Sequence, residues 1–286
     1  MPRIPSILHF VFGFREQNEP FHVLHYVAIE SARRLLRPEK IFVHLHRLPF
    51  GVFWDEIRPH VTLNYVDPAD EVNRADYDQT VVPEKYRYAH HADVVRLDAL
   101  IKHGGVYADI DTVFIRPLPA SLYEEKFVIG REVDVPDPNS GQMRPSLCNA
   151  LMMSAPNSQF VKEWRDRLAD ELDGSWSNHS GFLAYALSQE MPNEVRIEPK
   201  DSFLPLNYDA ETLDEFLQGG ELDCQDSYSI HLWAHLWWER NRVDFSRRHA
   251  GDFTLDQLRN APTRFAKLVA PYLPKLDLTD LRDPMP

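Results

Sequence analysis

Apolar and polar positions along the first half of the chain repeat with two different periods. Alternation every second residue predicts strands, and recurrence every three to four residues predicts helices. Residues 40–47 show the strand period, because Ile41, Val43 and Leu45 alternate with Phe and His residues. The predicted elements follow in the order strand, helix, strand, helix, strand, at residues 7–12, 21–36, 40–47, 52–58 and 61–67.

This order of elements predicts an α/β fold. Strands that alternate with helices form a parallel sheet with right-handed crossovers, and ligands lie beyond the carboxyl ends of those strands. Phe12, Asp67 and the pair Asp109 and Asp111 fall at predicted strand ends. We therefore expect the functional site at that edge of the sheet, with the polar residues 67–79 forming a long loop over it.

The second half mixes strands and helices within the size of one large domain. Predicted strands lie at residues 127–131, 147–153 and 229–233, and predicted helices at 159–172, 180–189 and 264–272. Beyond residue 240 the pattern becomes polar and helical. We predict a main domain over residues 1–245 and a helical extension over residues 246–286 that packs on it.

The segment 104–111 reads Gly-Gly-Val-Tyr-Ala-Asp-Ile-Asp, and it places Asp109 and Asp111 at the end of a short apolar strand. On an extended backbone these two side chains point to the same side. Carboxylates that converge in this way repel each other unless a cation lies between them. The spacing therefore predicts a site for a hard divalent cation that also binds phosphate oxygens. An isolated Asp-x-Asp pair is more often a solvated strand end. The surrounding sequence therefore determines whether this pair is interpreted as a cation site.

A helix is predicted upstream, over residues 86–103, because the two glycines that follow it favour a helix end. At about 100° per residue, Asp93 and Arg96 share a stripe with two leucines. Asp98 and Lys102 lie on the other side, as a solvated pair would. Buried charges are costly unless they pair with each other or with a ligand. Asp93 and Arg96 therefore form either an ion pair without further role or part of the site.

Residues 88–111 closely resemble the donor-sugar region of DXD glycosyltransferases, in particular glycosyltransferase family 32 with its capsular-polysaccharide, yeast mannosyltransferase and toxin-like relatives. The family pattern is Ser or Ala followed by Asp, Arg three residues later, and then Tyr-Gly-Gly-hydrophobic-Tyr-x-Asp-x-Asp. This sequence departs from it at His103, where Tyr is usual. Residues 4–13 and 229–237 resemble the family's first strand and its closing His-x-Trp-x-x-Ser-Trp element, with Leu236 in place of Ser.

The resemblance implies a GT-A type nucleotide-sugar-binding fold, with a mixed central sheet flanked by helices and a helical C-terminal tail. It implies catalytic roles for four residues: Asp93, Arg96, Asp109 and Asp111. It implies donor contacts from seven residues: His9, Phe12, Asp93, Arg96, Tyr107, Asp109 and Trp237. It implies a metal held by three residues: Asp109, Asp111 and His231. Asn149 and the turn at residues 178–181 resemble the family's acceptor-side and donor-side loops.

Two of these assignments have alternatives within the sequence. His231 either completes a metal sphere begun by carboxylates or is a core histidine bonded to a backbone carbonyl. His235 is the fallback ligand, although on a strand it lies too far from His231 to bind the same ion. Phe12, beside Gly13 at the strand end, is the better candidate for stacking on a nucleotide base, whereas Phe10 fills the core.

Composition excludes several classes of function. With 31 basic and 44 acidic residues the net charge is −13, which argues against binding to nucleic acid or anionic lipid. An apolar content of 43% is ample for a core, and the two cysteines form no disulfide framework. We find no signal peptide and no apolar run of about 20 residues that would span a membrane. We therefore expect a cytoplasmic protein, or an effector exported by another route.

These observations together predict an enzyme. We expect a metal-dependent, retaining hexosyltransferase that moves a sugar from a nucleotide-sugar donor, most simply a UDP-sugar, to a saccharide or another hydroxyl acceptor, as in polysaccharide biosynthesis. The expected cofactor is Mn²⁺ or Mg²⁺. One alternative is a phosphohydrolase, because residues 106–113 superficially fit the nucleophile strand of the haloacid dehalogenase class. The other is a non-catalytic module that binds a nucleotide sugar through the same residues.

Overall fold

The structure is a computed structural model that describes residues 3–67, 84–137, 140–238 and 249–277. The strands, in chain order, are β1 (Ile7–Phe12), β2 (Lys40–Leu45), β3 (Thr62–Tyr65), β4 (Gly105–Ala108), β5 (Thr112–Phe114), β6 (Phe127–Arg131), β7 (Val135–Pro136), β8 (Met143–Arg144), β9 (Leu147–Ser154), β10 (Arg196–Glu198) and β11 (Ser229–His231). The helices, in chain order, are α1 (Val23–Leu36), α2 (Val52–Ile57), α3 (Glu84–His103), α4 (Ala120–Tyr123), α5 (Gln159–Arg167), α6 (Leu183–Glu190), α7 (Lys200–Phe203), α8 (Ala210–Gln218), α9 (Leu255–Asn260) and α10 (Arg264–Val269). A π-helical turn lies at Asn178–Phe182, and 3₁₀ turns lie at Arg58–His60, Ala234–Leu236, Ala250–Asp252 and Ala270–Tyr272.

Among the described residues, seven strands form the central sheet in the order β10-β6-β9-β4-β1-β2-β3. β1 runs parallel to β2 and β4, and β3 runs parallel to β2, as the alternation of strands and helices predicts. β9 runs antiparallel to both of its neighbours, which makes the sheet mixed. The prediction of a mixed central sheet flanked by helices is therefore confirmed.

The first strands lie close to where the periodicity places them. β1 has the predicted bounds, whereas β2 ends at Leu45, two residues earlier than predicted. The chain turns there toward Gly13, whose carbonyl accepts a hydrogen bond from the Arg47 N–H at 3.1 Å. Gly13 has φ +78°, and a Cβ atom there would lie 2.3 Å from the Arg47 carbonyl oxygen, so the turn requires glycine. The loop predicted at residues 67–79 lies, apart from Asp67, outside the described residues.

The second half contains a small sheet that the periodicity does not reveal. β5 follows β4 after a three-residue turn and pairs antiparallel with β11. Three-residue strands are too short to show an alternating pattern. The strand predicted to reach residue 233 ends at His231, because Trp233 adopts a left-handed conformation with φ 53°. The helix predicted at residues 180–189 begins instead as the π-helical turn.

Side chains of the central sheet divide between two hydrophobic clusters, as alternate residues of a strand must. The first cluster contains Phe10 of β1 together with apolar side chains of α1. The second contains Tyr107 of β4 together with apolar side chains of α3 and α5. Phe265 of α10 belongs to the first cluster, so residues 249–277 pack against the same core as α1. The predicted domain boundary at residue 245 lies outside the described residues.

Candidate functional site

Asp109 and Asp111 lie in a tight turn between β4 and β5, not on an extended strand. The Thr112 N–H donates a hydrogen bond to the Asp109 carbonyl at 2.9 Å, which closes the turn. The extended geometry predicted for this pair is therefore wrong. The two carboxylates still converge, because groups from other elements hold each of them.

The small sheet brings His231 to this turn. β11 pairs with β5 so that His231 lies opposite Thr112, and the Leu232 N–H donates to the Asp111 carbonyl at 3.1 Å. The His231 Nε2 atom lies 3.1 Å from Asp111 Oδ1 and 3.7 Å from Asp109 Oδ2. A strand from the far end of the sequence thus completes a group that begins at β4.

Trp233 turns the chain back over the carboxylates. Its φ of 53° is unfavourable for a residue with a side chain and costs on the order of 1 kcal/mol. The indole Nε1–H donates to the Leu206 carbonyl at 3.0 Å, which holds this conformation. The turn directs the Ala234 N–H to Asp111 Oδ2 at 2.7 Å. One backbone amide and His231 therefore fix the Asp111 carboxylate.

Asp109, Asp111 and His231 have the composition and spacing of a metal site. Each offers one ligand atom, and these atoms lie within 4.8 Å of one another. Carboxylate oxygens suit Mg²⁺ and Mn²⁺, and an imidazole nitrogen is a further ligand for Mn²⁺. The His231 ring faces the carboxylates through Nε2, while its buried Nδ1 atom has no hydrogen-bond partner in the part of the chain that the structure describes. The donor set therefore fits a divalent cation bound through Nε2 and the two carboxylates.

Burial and neighbouring charges move the three pKa values in different ways. Burial raises the pKa of the Asp109 carboxyl above its ordinary value, against the opposing effect of Arg96. Burial acts in the same sense on Asp111, but His231 holds the pKa of that carboxyl well below its ordinary range. Burial disfavours a charged imidazole, yet Asp111 raises the pKa of His231 above its ordinary value. A cation between the carboxylates would remove the cost that burial imposes on the Asp109 charge.

The inner face of α3 carries Asp93 and Arg96, as its periodicity predicts. Both residues are buried, whereas Lys102 on the opposite face is exposed. Arg96 Nη2 lies 3.2 Å from Asp93 Oδ1 and 3.3 Å from Asp109 Oδ1. The ion pair of α3 therefore extends to the DXD turn and belongs to the site. Asp98 does not form the predicted pair with Lys102; it accepts a hydrogen bond from an arginine of α5 at 2.8 Å.

Both oxygens of Asp93 have hydrogen-bond partners. Asn149 Nδ2 donates to Oδ1 at 2.8 Å, and His179 Nε2 lies 2.9 Å from Oδ2. Burial raises the pKa of Asp93, but Arg96 and His179 outweigh it and lower that pKa below its ordinary value. His179 lies in the π-helical turn, where its carbonyl accepts a hydrogen bond from Trp164 Nε1 at 3.0 Å. The turn at residues 178–181 thus positions an aspartate of the site.

Tyr107 contacts Asp109 from inside the sheet. Its hydroxyl donates to Asp109 Oδ1 at 2.6 Å, and the Arg96 guanidinium lies 4.6 Å from the centre of its ring. Only 1% of Tyr107 is exposed. Tyr107 therefore orients Asp109 and Arg96, and its predicted contact with a donor stays a prediction.

The structure does not bring His9 or Trp237 to the site. His9 has no exposed surface, and its ring nitrogens lie 2.8 Å from the Gly104 carbonyl oxygen and 3.0 Å from His44 Nε2. Trp237 is also fully buried, and its Nε1–H donates to the Leu232 carbonyl at 2.6 Å. Neither side chain lines the cleft, so the structure gives no support to the predicted donor contact of either residue.

Phe12 lies at the carboxyl end of β1 but packs against aromatic neighbours. Its ring meets Phe21 edge-on at 5.0 Å and His25 edge-on at 4.9 Å between ring centres. Phe12 is half-buried and does not line the cleft that contains Asp93 and Asp109. Its proposed stacking on a base stays a prediction.

The site residues line one cleft of about 580 Å³, counted with the solvent space at its mouth. Asp93, Arg96, Asp109 and His231 all lie on its wall. Sequence reasoning missed further wall residues, among them Glu132, Cys148 and Trp176. Glu132 directly follows β6, which runs parallel to β4 because the intervening β9 is antiparallel to both; this arrangement is known only from the folded sheet. The carboxyl ends of β4 and β6 therefore meet at the same edge of the sheet.

Comparison with known proteins gives a family match and a relative. Residues 37–128 match the family described as "Glycosyltransferase sugar-binding region containing DXD motif". Over 293 aligned residues the chain is 30% identical to "Glucan organizing enzyme 1" of Cryptococcus neoformans var. grubii serotype A. This alignment covers 96% of the present chain and 73% of the relative. The likeness therefore extends over nearly the whole chain and well beyond the DXD segment.

Solved structures show more distant similarity. The galactosyltransferase LgtC, in complex with donor and acceptor sugar analogs, aligns over 96% of this chain and 98% of its own, with a TM-score of 0.49 and 12% identity. The glycosyltransferase GlyE of Streptococcus pneumoniae TIGR4 aligns over 97% of this chain and 62% of its own, with a TM-score of 0.47 and 11% identity. The PaToxG glycosyltransferase covers 66% of this chain and 70% of its own, with a TM-score of 0.44 and 16% identity.

Proposed function

The chain belongs to the family of DXD-motif glycosyltransferases, and from this premise we propose that it is a metal-dependent, retaining enzyme of the GT-A type. It moves a sugar from a nucleotide-sugar donor, most simply a UDP-sugar, to a hydroxyl acceptor. The observation that carries the proposal is the convergence of Asp109, Asp111 and His231, at a place where Asp109 and His231 line the same cleft as the Asp93–Arg96 pair.

The proposed cofactor is Mn²⁺ or Mg²⁺, held by Asp109, Asp111 and His231. A divalent cation bound there would neutralise the donor diphosphate and stabilise it as a leaving group. The protein supplies the ligands in a fixed geometry. Tyr107 holds one oxygen of Asp109, and the Ala234 amide holds one oxygen of Asp111. In each carboxylate the other oxygen lies on the side of His231.

Asp93 and Arg96 are proposed to bind and orient the donor sugar. Arg96 is fixed before any ligand arrives, because Nη1 donates to the Asn149 carbonyl at 2.9 Å and Nη2 contacts two carboxylates. A guanidinium held in this way binds an anionic or hydroxyl oxygen without first losing side-chain entropy. Such positioning orders the donor for attack by the acceptor.

Retention of configuration is proposed to occur by attack of the acceptor from the same face as the leaving group. The two oxygens of Asp93 are already engaged with Asn149 and His179. In Asp109 and Asp111 one oxygen accepts a hydrogen bond from the protein and the other faces the metal position. None of these carboxylates is therefore free to form a covalent bond to the sugar. The experiment that tests this step is the anomeric configuration of the first product, read by proton NMR.

A saccharide acceptor, and with it a role in polysaccharide biosynthesis, is part of the proposal. Its support is the relative named as a glucan organizing enzyme, which the chain matches over 96% of its length. Glucan oligosaccharides are therefore the first acceptors to test. In the described ranges no helix has the length and apolar character that a membrane crossing requires. The cytoplasmic location stays a prediction of the sequence.

The phosphohydrolase alternative is not favoured, because the family match assigns the DXD segment to a sugar-binding region. A non-catalytic binding module differs from the proposed enzyme in one observable, which is cleavage of the donor. The deciding experiment therefore combines binding and turnover. Thermal unfolding with a panel of nucleotide sugars, with and without Mn²⁺, reports binding, because a ligand at 100 times its Kd stabilises the folded state by about 2.7 kcal/mol.

We expect one nucleotide class to raise the melting temperature only when Mn²⁺ is present. We also expect its sugar form to be cleaved slowly in water and faster with an acceptor. Binding of a nucleotide sugar without any cleavage would show that the protein is a non-catalytic binding module. Stabilisation that is the same in Mn²⁺ and in EDTA would contradict the proposed metal dependence.

A further inference from the structure

Glu132 is a largely buried carboxylate that the proposed chemistry does not use. It directly follows β6 and lines the same cleft as Asp93 and Asp109. Ser146 Oγ donates a hydrogen bond to Glu132 Oε2 at 2.8 Å, and no other side chain among the described residues bonds to the carboxylate. Burial raises the pKa of Glu132 to about 7. A carboxylate placed in a cleft under such conditions is a candidate for binding a ligand.

The contrast with Asp93 shows what Glu132 lacks. Asp93 has Arg96 at 3.2 Å and hydrogen bonds to both oxygens. Within the described part of the chain, Glu132 has no cation at ion-pair distance and a partner on one oxygen only. Its other oxygen, Oε1, is not among the atoms that are buried without a partner, so it is open to solvent or to a ligand in the cleft. Glu132 Oε1 can therefore accept a hydrogen bond from a ligand.

The position of Glu132 is built into the backbone around it. The Glu132 N–H donates to the Ser146 carbonyl at 3.1 Å. Gly181 of the π-helical turn lies so close to Ser146 that a Cβ atom on it would be 2.2 Å from Ser146 Oγ. Any larger residue at this position would displace the hydroxyl that holds Glu132. The carboxylate is thus held at a defined place on the cleft wall.

A neighbouring cavity repeats the same chemistry. Glu132 and Trp233 line both the main cleft and a smaller cavity of about 170 Å³. Asn207 lines the smaller cavity, and its Oδ1 atom is buried without a hydrogen-bond partner in the residues described. Both cavities therefore present hydrogen-bond acceptors that lack donors. A ligand rich in hydroxyl groups supplies such donors, whereas an anion is repelled by the Glu132 carboxylate.

Trp176 adds an apolar surface at the same cleft. Its side chain is 39% exposed, and its ring stacks on His235 with 4.7 Å between ring centres and 17° between planes. An exposed indole held flat by a second ring matches the apolar face of a sugar ring. The diphosphate of a donor carries negative charge and belongs beside Arg96 and the metal ligands, not beside the Glu132 carboxylate. The Glu132–Trp176 part of the cleft thus suits a neutral ligand that is not the donor.

We propose that Glu132 and Trp176 form the acceptor side of the cleft, where Glu132 accepts a hydrogen bond from a saccharide hydroxyl and Trp176 packs on the sugar ring. This inference rests on the proposed function, because an acceptor presupposes a transferase. Glu132 determines acceptor binding and leaves donor binding to Asp93, Arg96 and the metal ligands.

The test measures saccharide binding and donor binding separately. The protein loaded with UDP and Mn²⁺ is titrated calorimetrically with malto-, cello- and laminari-oligosaccharides. The variants are Glu132→Gln, which keeps the size of the side chain and an oxygen for Ser146, and Trp176→Ala. Glu56→Gln, at an exposed position of α2, is the matched control. Melting temperatures with UDP and Mn²⁺, and cleavage of the cognate UDP-sugar in water, report the donor side.

We expect wild-type protein and Glu56→Gln to bind one oligosaccharide series. We expect both cleft variants to bind it at least about tenfold more weakly, as loss of one charge-assisted hydrogen bond or one aromatic contact would cause. The UDP–Mn²⁺ melting shift and the donor cleavage in water stay unchanged. Undiminished saccharide affinity in Glu132→Gln would overturn the proposal, and so would a loss of donor cleavage, which would place Glu132 at the reacting carbon.

Two further outcomes separate this inference from the function on which it rests. If UDP and Mn²⁺ stabilise the wild-type protein but none of these saccharides binds, the acceptor assignment is overturned and the donor function stands. If neither UDP nor any other nucleotide of the panel stabilises the wild-type protein in the presence of Mn²⁺, the proposed function itself is overturned.

Discussion

Two clusters of polar side chains, one around His9 and His44 and one around Asp109 and Asp111, differ in how their polar atoms are satisfied. The histidine chain consists of His9 on β1, His44 on β2 and Asn64 on β3. His9 Nε2 lies 2.8 Å from the Gly104 carbonyl, His9 Nδ1 lies 3.0 Å from His44 Nε2, and His44 Nδ1 lies 2.9 Å from Asn64 Nδ2. If His9 donates to the carbonyl, then His44 donates to His9 and Asn64 to His44. Every ring nitrogen of the chain is therefore used.

The DXD site, formed by Asp109, Asp111 and His231, has the opposite character. Two carboxylates and one imidazole converge, and Asp109 carries a charge that burial disfavours. Burial lowers the pKa of His9 to about 4 and that of His44 to about 3, whereas Asp111 raises the pKa of His231 against the effect of burial. The comparison shows that the surroundings, and not the residue type, separate a structural histidine from one that can hold a ligand.

The largest effect that distinguishes the two clusters is expected for Asp111→Asn. The amide keeps an oxygen for the Ala234 N–H but removes one charge from the metal position. We expect donor turnover to fall by about 100-fold or more, with loss of the Mn²⁺-dependent stabilisation by UDP. Thermal unfolding and a donor-cleavage assay measure both. Asp166→Asn on the exposed face of α5 is the control, and equal UDP–Mn²⁺ binding by the two variants would contradict the metal assignment.

The next largest effect concerns Arg96, compared with Lys102 on the opposite face of α3. Arg96→Ala leaves Asp93 and Asp109 without their cation, so it should lower donor turnover strongly and destabilise the fold by about 3–5 kcal/mol. Lys102→Ala should change neither. Because Arg96→Ala can fail to fold, Arg96→Lys serves as a second variant. Lysine keeps the charge but cannot make the separate contacts of Nη1 and Nη2. Similar turnover in Arg96→Lys, Lys102→Ala and wild type would show that Arg96 has no catalytic part.

A smaller effect is expected for His231, because the two carboxylates remain. His231→Ala should raise the Mn²⁺ concentration needed for half-maximal donor cleavage by about tenfold or more. His235→Ala should leave that concentration unchanged, since His235 stacks on Trp176 and is not among the candidate metal ligands. Donor cleavage by both variants, measured over a range of Mn²⁺ concentrations, tests this expectation. If the two variants require the same Mn²⁺ concentration as wild type, His231 is a core histidine despite its position.

The histidine chain should respond in stability alone. His9→Gln disrupts the bonds to Gly104 and His44 and should lower the free energy of unfolding by about 1–3 kcal/mol, measured by urea denaturation. The UDP–Mn²⁺ melting shift should remain, because His9 has no exposed surface and lies outside the cleft. His60→Gln, on an exposed 3₁₀ turn, is the control. A loss of nucleotide binding in correctly folded His9→Gln would restore the donor role that the sequence assigned to His9.

His9 of the histidine chain also predicts how the stability of the protein depends on pH. The folded pKa of His9, about 4, lies below its ordinary value of 6.5, so the unfolded chain binds more protons in between. Stability therefore rises with pH across this interval and is lost as pH falls from 6.5 toward 4, by at most about 1.4 kcal/mol per pH unit for one histidine. The slope of unfolding free energy against pH should be shallower in His9→Gln than in wild type. Identical slopes would mean that His9 is not neutral in the folded protein.

The sequence predicts the parts of the site that local pattern determines. The stripe of α3 separates Asp93 and Arg96 from Lys102, and the structure buries the first two and exposes the third. The resemblance of residues 229–237 pointed to His231, which the structure brings within 3.1 Å of Asp111. Both inferences depend on a period or a motif that lies within a short segment. Such patterns can be recognised without knowing which other segments pack against that segment.

The sequence fails where distant segments decide the surroundings. His9 belongs to a motif-like segment, yet His44 and the Gly104 carbonyl, 35 and 95 residues away along the sequence, occupy its ring nitrogens. Glu132 shows the reverse case. It follows a correctly predicted strand, but its position beside β4 depends on the order and direction of β6 and β9, which only the folded sheet provides.

Direct Mn²⁺ binding tests the central claim, that the DXD site holds a metal and the histidine chain does not. Free Mn²⁺ gives a strong electron paramagnetic resonance signal that decreases on binding, so a titration in the presence of UDP counts bound ions per chain. The structure predicts one tightly bound Mn²⁺ in wild type and in His9→Gln, and none in Asp111→Asn. Equal binding by wild type and Asp111→Asn, or loss of binding in His9→Gln alone, would contradict it.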